Sequence, residues 1–243
     1  MVSVGTLAAM PRPQGRPWII AHRGASAARP ENTVEAFRHA ATLGADAVEL
    51  DVRRTADDVL VVHHDARVDG TPLVMMSHHD LRERAPSVPT LPEALGACEG
   101  MWVNVEVKNY QTEPDWDPER RVVRGVMEIV RATGWSDRVL ISSFDLESAV
   151  AARGTLRSGW LVPTSIDTLT AIAQMPALDT VHPAFESLDG ERAVMAVADA
   201  HRRGLELLTW TVDDPDEMRR LAAAGVDGIF TNEPDVAVEA LHT

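Results

Sequence analysis

Two short phrases of the chain, Val48-Glu49-Leu50-Asp51-Val52 and Val103-Asn104-Val105-Glu106-Val107-Lys108, set charged residues in alternation with apolar ones. Successive side chains of an extended strand point to opposite faces, so Glu49 and Asp51 share a direction, and so do Glu106 and Lys108. A carboxylate in a water-poor pocket is costly to ionise unless something compensates it. Three of them delivered from two strands point to a hard divalent cation held by oxygen, with Mg2+, Ca2+ and Mn2+ all compatible with the donor set. Lys108 is the only lysine among 23 basic residues, the others being arginine. A compact ammonium therefore sits where a wide planar guanidinium was not used.

These residues need a scaffold that brings strand ends together. Strand-like runs are expected at Trp18–Ala21, Ala47–Arg53 with an extension at Val59–His63, Trp102–Val107, Arg138–Ser142, Ser158–Val162, Thr180–His182, Leu205–Val212 and Gly228–Phe230. Segments of helical period lie between them at Thr33–Leu43, Pro118–Thr133, Leu146–Arg153, Glu191–Arg203 and Asp216–Ala224. Repeated βα units imply parallel strands joined by right-handed crossovers. About eight such units in a chain of this length imply an α/β fold, a (β/α)8 TIM barrel with a closed parallel sheet. An open doubly wound sheet is the alternative, but no Gly-x-Gly-x-x-Gly follows the first strand. The barrel demands that catalytic residues fall at C-terminal strand ends. His22-Arg23-Gly24, Glu49 and Asp51, His64-Asp65, Glu106 and Lys108, Phe144 and Trp210 all do.

With 243 residues, 45% hydrophobic and 25% charged, the chain has material for one large core. Residues 1–16, with two prolines and two glycines, read as a flexible leader, and residues 17–243 as a single catalytic domain. No apolar run reaches the roughly 20 residues of a membrane span. The lone Cys98 excludes an internal disulfide, reads as a packing residue and fits the cytoplasm. A net charge of −14 with no basic stripe argues against nucleic acid as a partner. That charge would also repel an anionic substrate, so a local positive site must exist, and a metal with Arg23 and Lys108 would supply one.

Ala21-His22-Arg23-Gly24, Pro30-Glu31-Asn32-Thr33, Glu49-Leu50-Asp51, His64-Asp65 and Glu106-Val107-Lys108 together resemble the signature of the glycerophosphodiester phosphodiesterase family. The order continues through Trp210-Thr211-Val212 to the phrase Gly225–Asn232, so the resemblance runs from Trp18 to the C-terminus. Any single piece is weak and the ordered set is specific. The resemblance implies a metal-dependent barrel that hydrolyses small anionic glycerophosphodiesters to sn-glycerol 3-phosphate and an alcohol. It implies His22 and His64 as the catalytic pair, and Glu49, Asp51 and Glu106 as metal ligands. Arg23 and Lys108 match phosphate-contacting positions, and Glu31 matches the acidic residue of the Glu-Asn-Thr turn. Trp210 and Phe144 are expected to wall the substrate. The chemistry agrees: a phosphodiester needs charge neutralisation on its free oxygens, a base for the nucleophile and an acid for the leaving alkoxide.

The stretch Ala66–Thr71 departs from the family's usual phrase, and a short connection from it to a helix near Pro92 is expected. Three rival readings remain. One is release of a lysophospholipid head group through a cyclic phosphate, and another is a phosphodiester-binding barrel without catalysis. The third is a sugar isomerase or aldolase on the same fold. His63 is expected to face away from His64, Asp65 is a candidate to orient the His64 ring, and His182 lies at a strand end near the pocket.

Overall fold

The structure, a computed structural model, describes residue 13 and residues 15–242. The expected leader therefore lies almost wholly outside the described residues. Eight parallel strands form the barrel: β1 (Trp18–Ala21), β2 (Ala47–Arg54), β3 (Trp102–Val107), β4 (Val139–Ser143), β5 (Arg157–Leu161), β6 (Thr180–His182), β7 (Glu206–Thr209) and β8 (Gly228–Thr231). β1 pairs in parallel with both β2 and β8, which closes the sheet and rules out the doubly wound alternative. The helices are α1 (Val34–Thr42), α2 (His78–Arg84), α3 (Leu91–Ala97), α4 (Arg121–Ala132), α5 (Leu146–Ala152), α6 (Thr168–Gln174), α7 (Gly190–Arg202), α8 (Pro215–Ala224) and α9 (Pro234–Leu241).

Local chemistry starts these helices where the strands leave off. Thr33 accepts from the Ala36 amide, Asp145 from Ser148, Asp167 from Thr170, and Asp214 from both Asp216 and Glu217. Each satisfies amides that the first helical turn leaves without a partner. α4 buries Val122, Val123, Val126 and Val130 against the sheet, an apolar stripe at helical spacing. Apolar layers between strands and helices hold most of the core, and a smaller cluster of Trp18, Ile20, Ala47, Leu140, Leu208 and Phe230 fills the barrel itself. Cys98 is fully buried and its thiol is pushed up to about 12 by burial, which suits packing.

Three expectations need correction. The connection after His64 is not short: it holds a hairpin pairing Arg67–Val68 with Thr71–Pro72, a 3-10 turn at Leu73–Met75, and α2 capped by Ser77. His78 and His79 form the first turn of α2. The extension of β2 is a separate antiparallel strand, Leu60–Val62, so the chain turns back before it reaches His63. Finally, α4 starts at Arg121 and not at Pro118. Asp117, held by Asn109, accepts the Val122 amide, and Arg120 adopts a left-handed conformation just before the helix.

Gly24 shows how the fold constrains the mouth of the barrel. Its φ is +82°, and a Cβ there would lie 2.7 Å from the backbone carbon of Ala36 on α1. A left-handed conformation alone costs an L-residue roughly 1–2 kcal/mol, and the collision adds to it. Gly24→Ala is expected to lower stability by at least about 1–2 kcal/mol, read as a lower denaturant midpoint with an unchanged slope. An unchanged midpoint would mean that α1 does not press on this turn.

Candidate active site

Strand register brings the acidic residues together. Asp51 of β2 is paired directly with Glu106 of β3, and Glu49 lies one inward position earlier, opposite Asn104. Ligand oxygens of Glu49, Asp51 and Glu106 all lie within 4.8 Å of one another, and all three residues are buried. Lys108 reaches back over the pair, with Nζ 2.9 Å from Asp51 Oδ1 and 2.7 Å from Glu106 Oε1. Arg23 completes the frame. Its backbone, at φ +57°, donates to Glu49 Oε2 at 2.9 Å. Its side chain lies 3.2 Å from Asp51 and 3.0 Å from Glu31. Asn32, also left-handed, donates to Asp51 Oδ2 at 2.7 Å and accepts the Asp51 amide at 3.2 Å.

Compensation within this cluster is uneven. Burial pushes Asp51 up, but Lys108, Arg23, His64 and Asn32 outweigh burial and hold it well below the usual carboxylate range. Glu49 moves the other way: burial, then the charges of Asp51 and Glu106, raise it well above that range. Glu106 is raised as well, by burial first, with Lys108 opposing. Glu49 Oε1 is buried with no hydrogen-bond partner. Three carboxylates thus face two cationic groups, and while Asp51 Oδ1 at least has the Lys108 ammonium beside it, Glu49 Oε1 has none. An all-oxygen donor set of this kind fits a divalent cation.

A cavity of about 280 Å³ opens over the cluster at the C-terminal end of the barrel. His22, Arg23, His64, Lys108, Phe144 and Trp210 line it, together with Glu49 and Glu106. Glu31 lies outside that lining, half exposed, and serves as the outer clamp on Arg23. His63 is also outside it, bonded through Nδ1 to the Asp65 carbonyl. His182 does not line the cavity. It is fully buried inside the barrel, bonded to Thr180 at 2.7 Å, and burial lowers its imidazole to about 3.

The two lining histidines are held differently. Asn232 donates through Nδ2 to Asp213 at 2.7 Å, which turns its Oδ1 toward His22 Nδ1 at 2.8 Å. His22 Nδ1 must then carry the hydrogen, leaving Nε2 as the bare nitrogen, 4.0 Å from Glu49. Burial first, and then the charge of Arg23, lowers its pKa from the ordinary 6.5. His64 Nδ1 instead pairs with the Asp65 carboxylate at 2.8 Å, as its sequence neighbour suggested.

Sequence reasoning missed Tyr110, Asn104 and the Asp213–Asn232 pair. Tyr110 stands 5.6 Å from the Phe144 ring and 5.9 Å from Lys108 Nζ, and Phe144 meets Trp210 edge-on at 5.5 Å. Tyr110 follows Lys108 by two residues, so its place near the pocket was foreseeable. Asp213 and Asn232 lie on separate strand ends, and their contact with His22 appears only on folding.

Residues 22–236 match the glycerophosphoryl diester phosphodiesterase family. The chain belongs to that family. A glycerophosphodiester phosphodiesterase of Caldanaerobacter subterraneus subsp. tengcongensis is 30% identical over 247 residues, covering 92% of this chain and 97% of that protein. Among solved structures, a putative glycerophosphoryl diester phosphodiesterase from Silicibacter pomeroyi superposes with a TM-score of 0.80 at 26% identity, over 95% of each chain. The glycerophosphodiester phosphodiesterase of Thermotoga maritima superposes with a TM-score of 0.79 at 26% identity, over 92% of this chain and 97% of that one. This chain is accordingly an enzyme of the same class, a phosphoric diester hydrolase acting on glycerophosphodiesters.

The cluster's unsatisfied charge has a direct consequence. Millimolar Mg2+, Ca2+ or Mn2+ is expected to raise the melting temperature of metal-stripped protein, since a ligand at 100 times its Kd stabilises by about 2.7 kcal/mol. Glu106→Gln should remove most of that rise. A melting temperature indifferent to all three ions would overturn the cation assignment.

Proposed function

We propose that the enzyme hydrolyses glycerophosphodiesters to sn-glycerol 3-phosphate and an alcohol, using His22 as base, His64 as acid and a divalent cation held by Glu49, Asp51 and Glu106. The observation that carries the reading is the pair of differently held histidines beside one buried carboxylate cluster. His22 presents a bare Nε2 toward Glu49, suited to taking a proton from an attacking water. Asp65 accepts from His64 Nδ1 whether or not the ring carries a second proton, so Nε2–H can be given to the leaving alkoxide. One proton thus enters at His22 and one departs from His64, and the phosphorus exchanges one P–O bond for another.

Arg23 and Lys108 line the cavity and would bind the anionic oxygens of the phosphate. Both are already engaged with carboxylates, so the pocket turns positive only when a further cation is present. When bound, the divalent cation would polarise the phosphoryl group and lower the pKa of an oxygen nucleophile. Phe144 and Trp210 form an apolar wall for the organic part of the substrate. A cytoplasmic setting is consistent with the single buried cysteine. Among the described residues no helix is long and apolar enough to cross a membrane.

Incubating chelator-treated protein with glycerophosphodiesters and lysophospholipids, adding metals singly and following products by phosphorus NMR tests the reading as a whole. Glycerol 3-phosphate formed only with metal supports it, and full turnover in excess chelator or a cyclic phosphate product contradicts it. His22→Ala and His64→Ala should each lower kcat by about 10²–10⁴-fold, while His63→Ala leaves it nearly intact. Because burial lowers His22, the base stays unprotonated down to more acid solution. The acid limb of kcat/KM should therefore fall below pH 6.5, the ordinary histidine value. A limb above that value would argue against His22 as the base. Lys108→Arg should cost at least about tenfold in kcat/KM, or roughly 1.4 kcal/mol, because a wider planar guanidinium beside Asp51 and Glu106 would displace the phosphate. Near-wild-type rates would reduce Lys108 to a counter-charge.

A further inference from the structure

Arg53 heads the fully buried side chains of the described residues by size, at 1% exposure. It sits on β2 two residues past Asp51, yet it does not line the cavity. Its guanidinium serves two separate segments at once. Nε donates to the backbone oxygen of His64 at 2.8 Å. Nη1 donates to Glu113 at 2.8 Å and to the buried Asp115 at 2.5 Å. Glu113 and Asp115 belong to the connection after β3, the one that carries Tyr110 to the aromatic wall. The far end of that connection is pinned independently by Asn109 and Asp117.

The arrangement explains why arginine is needed there. A guanidinium offers donors in different directions from one rigid plane, whereas an ammonium concentrates its charge at one nitrogen. Lysine at this position would still neutralise Glu113 and Asp115, but it would not also hold the His64 carbonyl. The His64 segment follows the edge strand Leu60–Val62 and is tied to β2 through the His63 amide, which donates to the Asp51 carbonyl at 2.9 Å. Arg53 supplies a second tie, one residue later and from the same strand.

We propose that Arg53 is a positioning residue, which fixes His64 for proton donation and seats the Tyr110 connection against the aromatic wall through the same guanidinium. The proposal rests on the acid role given above to His64. The competing account is a buried ion pair that serves stability alone. Leaving-group dependence separates the two, because a nitrophenolate departs without a proton and an alkoxide does not. Arg53→Lys and His64→Ala should be assayed with metal on glycerophosphodiesters carrying either an alkyl alcohol or 4-nitrophenol.

Arg53→Lys should lower kcat on the alkyl ester by about tenfold, a fraction of the 10²–10⁴ scale of a complete general acid, with little loss on the nitrophenyl ester. His64→Ala should show the same selectivity in larger degree. In the double variant, Arg53→Lys should add nothing on the alkyl ester, as expected for a residue acting through another. Equal losses on both esters for Arg53→Lys, beside a selective His64→Ala, would overturn the positioning role and leave the acid assignment standing. An unselective His64→Ala would overturn the acid assignment and the proposal with it. Should Arg53→Lys fail to fold, Asp115→Asn keeps an oxygen acceptor while loosening the guanidinium. It should show the same selectivity in kcat at smaller amplitude, with any looser seating of the Tyr110 connection read as a higher KM on both esters, and equal kcat losses on both esters would again overturn the proposal.

Discussion

The register between β2 and β3 places Asp51 directly beside Glu106, with Glu49 next to them, and much of the surrounding structure compensates that crowding. Buried like charges cannot all ionise without partners. Lys108, Arg23 and Asn32 are spent on Asp51 and Glu106, and Glu49 is left raised, with one oxygen unpartnered. The pocket therefore has no surplus positive charge until a cation enters. That is the local counterpart of the chain-wide net charge of −14, which by itself would turn an anionic phosphodiester away.

The chemistry added to this frame is asymmetric. His22 is bonded to a neutral amide and His64 to a carboxylate, and each contact dictates which ring nitrogen carries the hydrogen. Neither histidine stands on regular secondary structure. Both lie just past strand ends, where loops oriented by a rigid sheet can present side chains to a ligand. Each is consequently held by a second layer: Asp213 acts through Asn232 on His22, while Arg53 and Asp65 bracket His64.

Much of this was legible from residues alone, for physical reasons. The alternation in Val48–Val52 and Val103–Lys108 carries the period of a strand, so the shared direction of the carboxylates followed from covalent geometry. The βα alternation implied closure, because parallel strands in that number have few other solutions. The length of the connection after His64 was hidden because its hairpin, Arg67–Val68 with Thr71–Pro72, has only two residues per strand, too brief for a periodic signal. His182 ends β6, a position from which a side chain can enter either the pocket or the barrel, and it lies buried against Phe230 outside the cavity lining. The partners of His22 and of Arg53 were the least visible. Asn232 is 210 residues from His22, and Glu113 is 60 from Arg53, separations that no local pattern reports.

Anomalous diffraction from crystals grown with Mn2+ tests most directly whether a cation sits among the three buried carboxylates. A single strong anomalous peak within bonding distance of Glu49, Asp51 and Glu106 is the expected result, with Lys108 and Arg23 no longer the only cations beside Asp51 and Glu106. A featureless anomalous map at that position, with the Lys108 contacts at 2.9 and 2.7 Å unchanged, would contradict it.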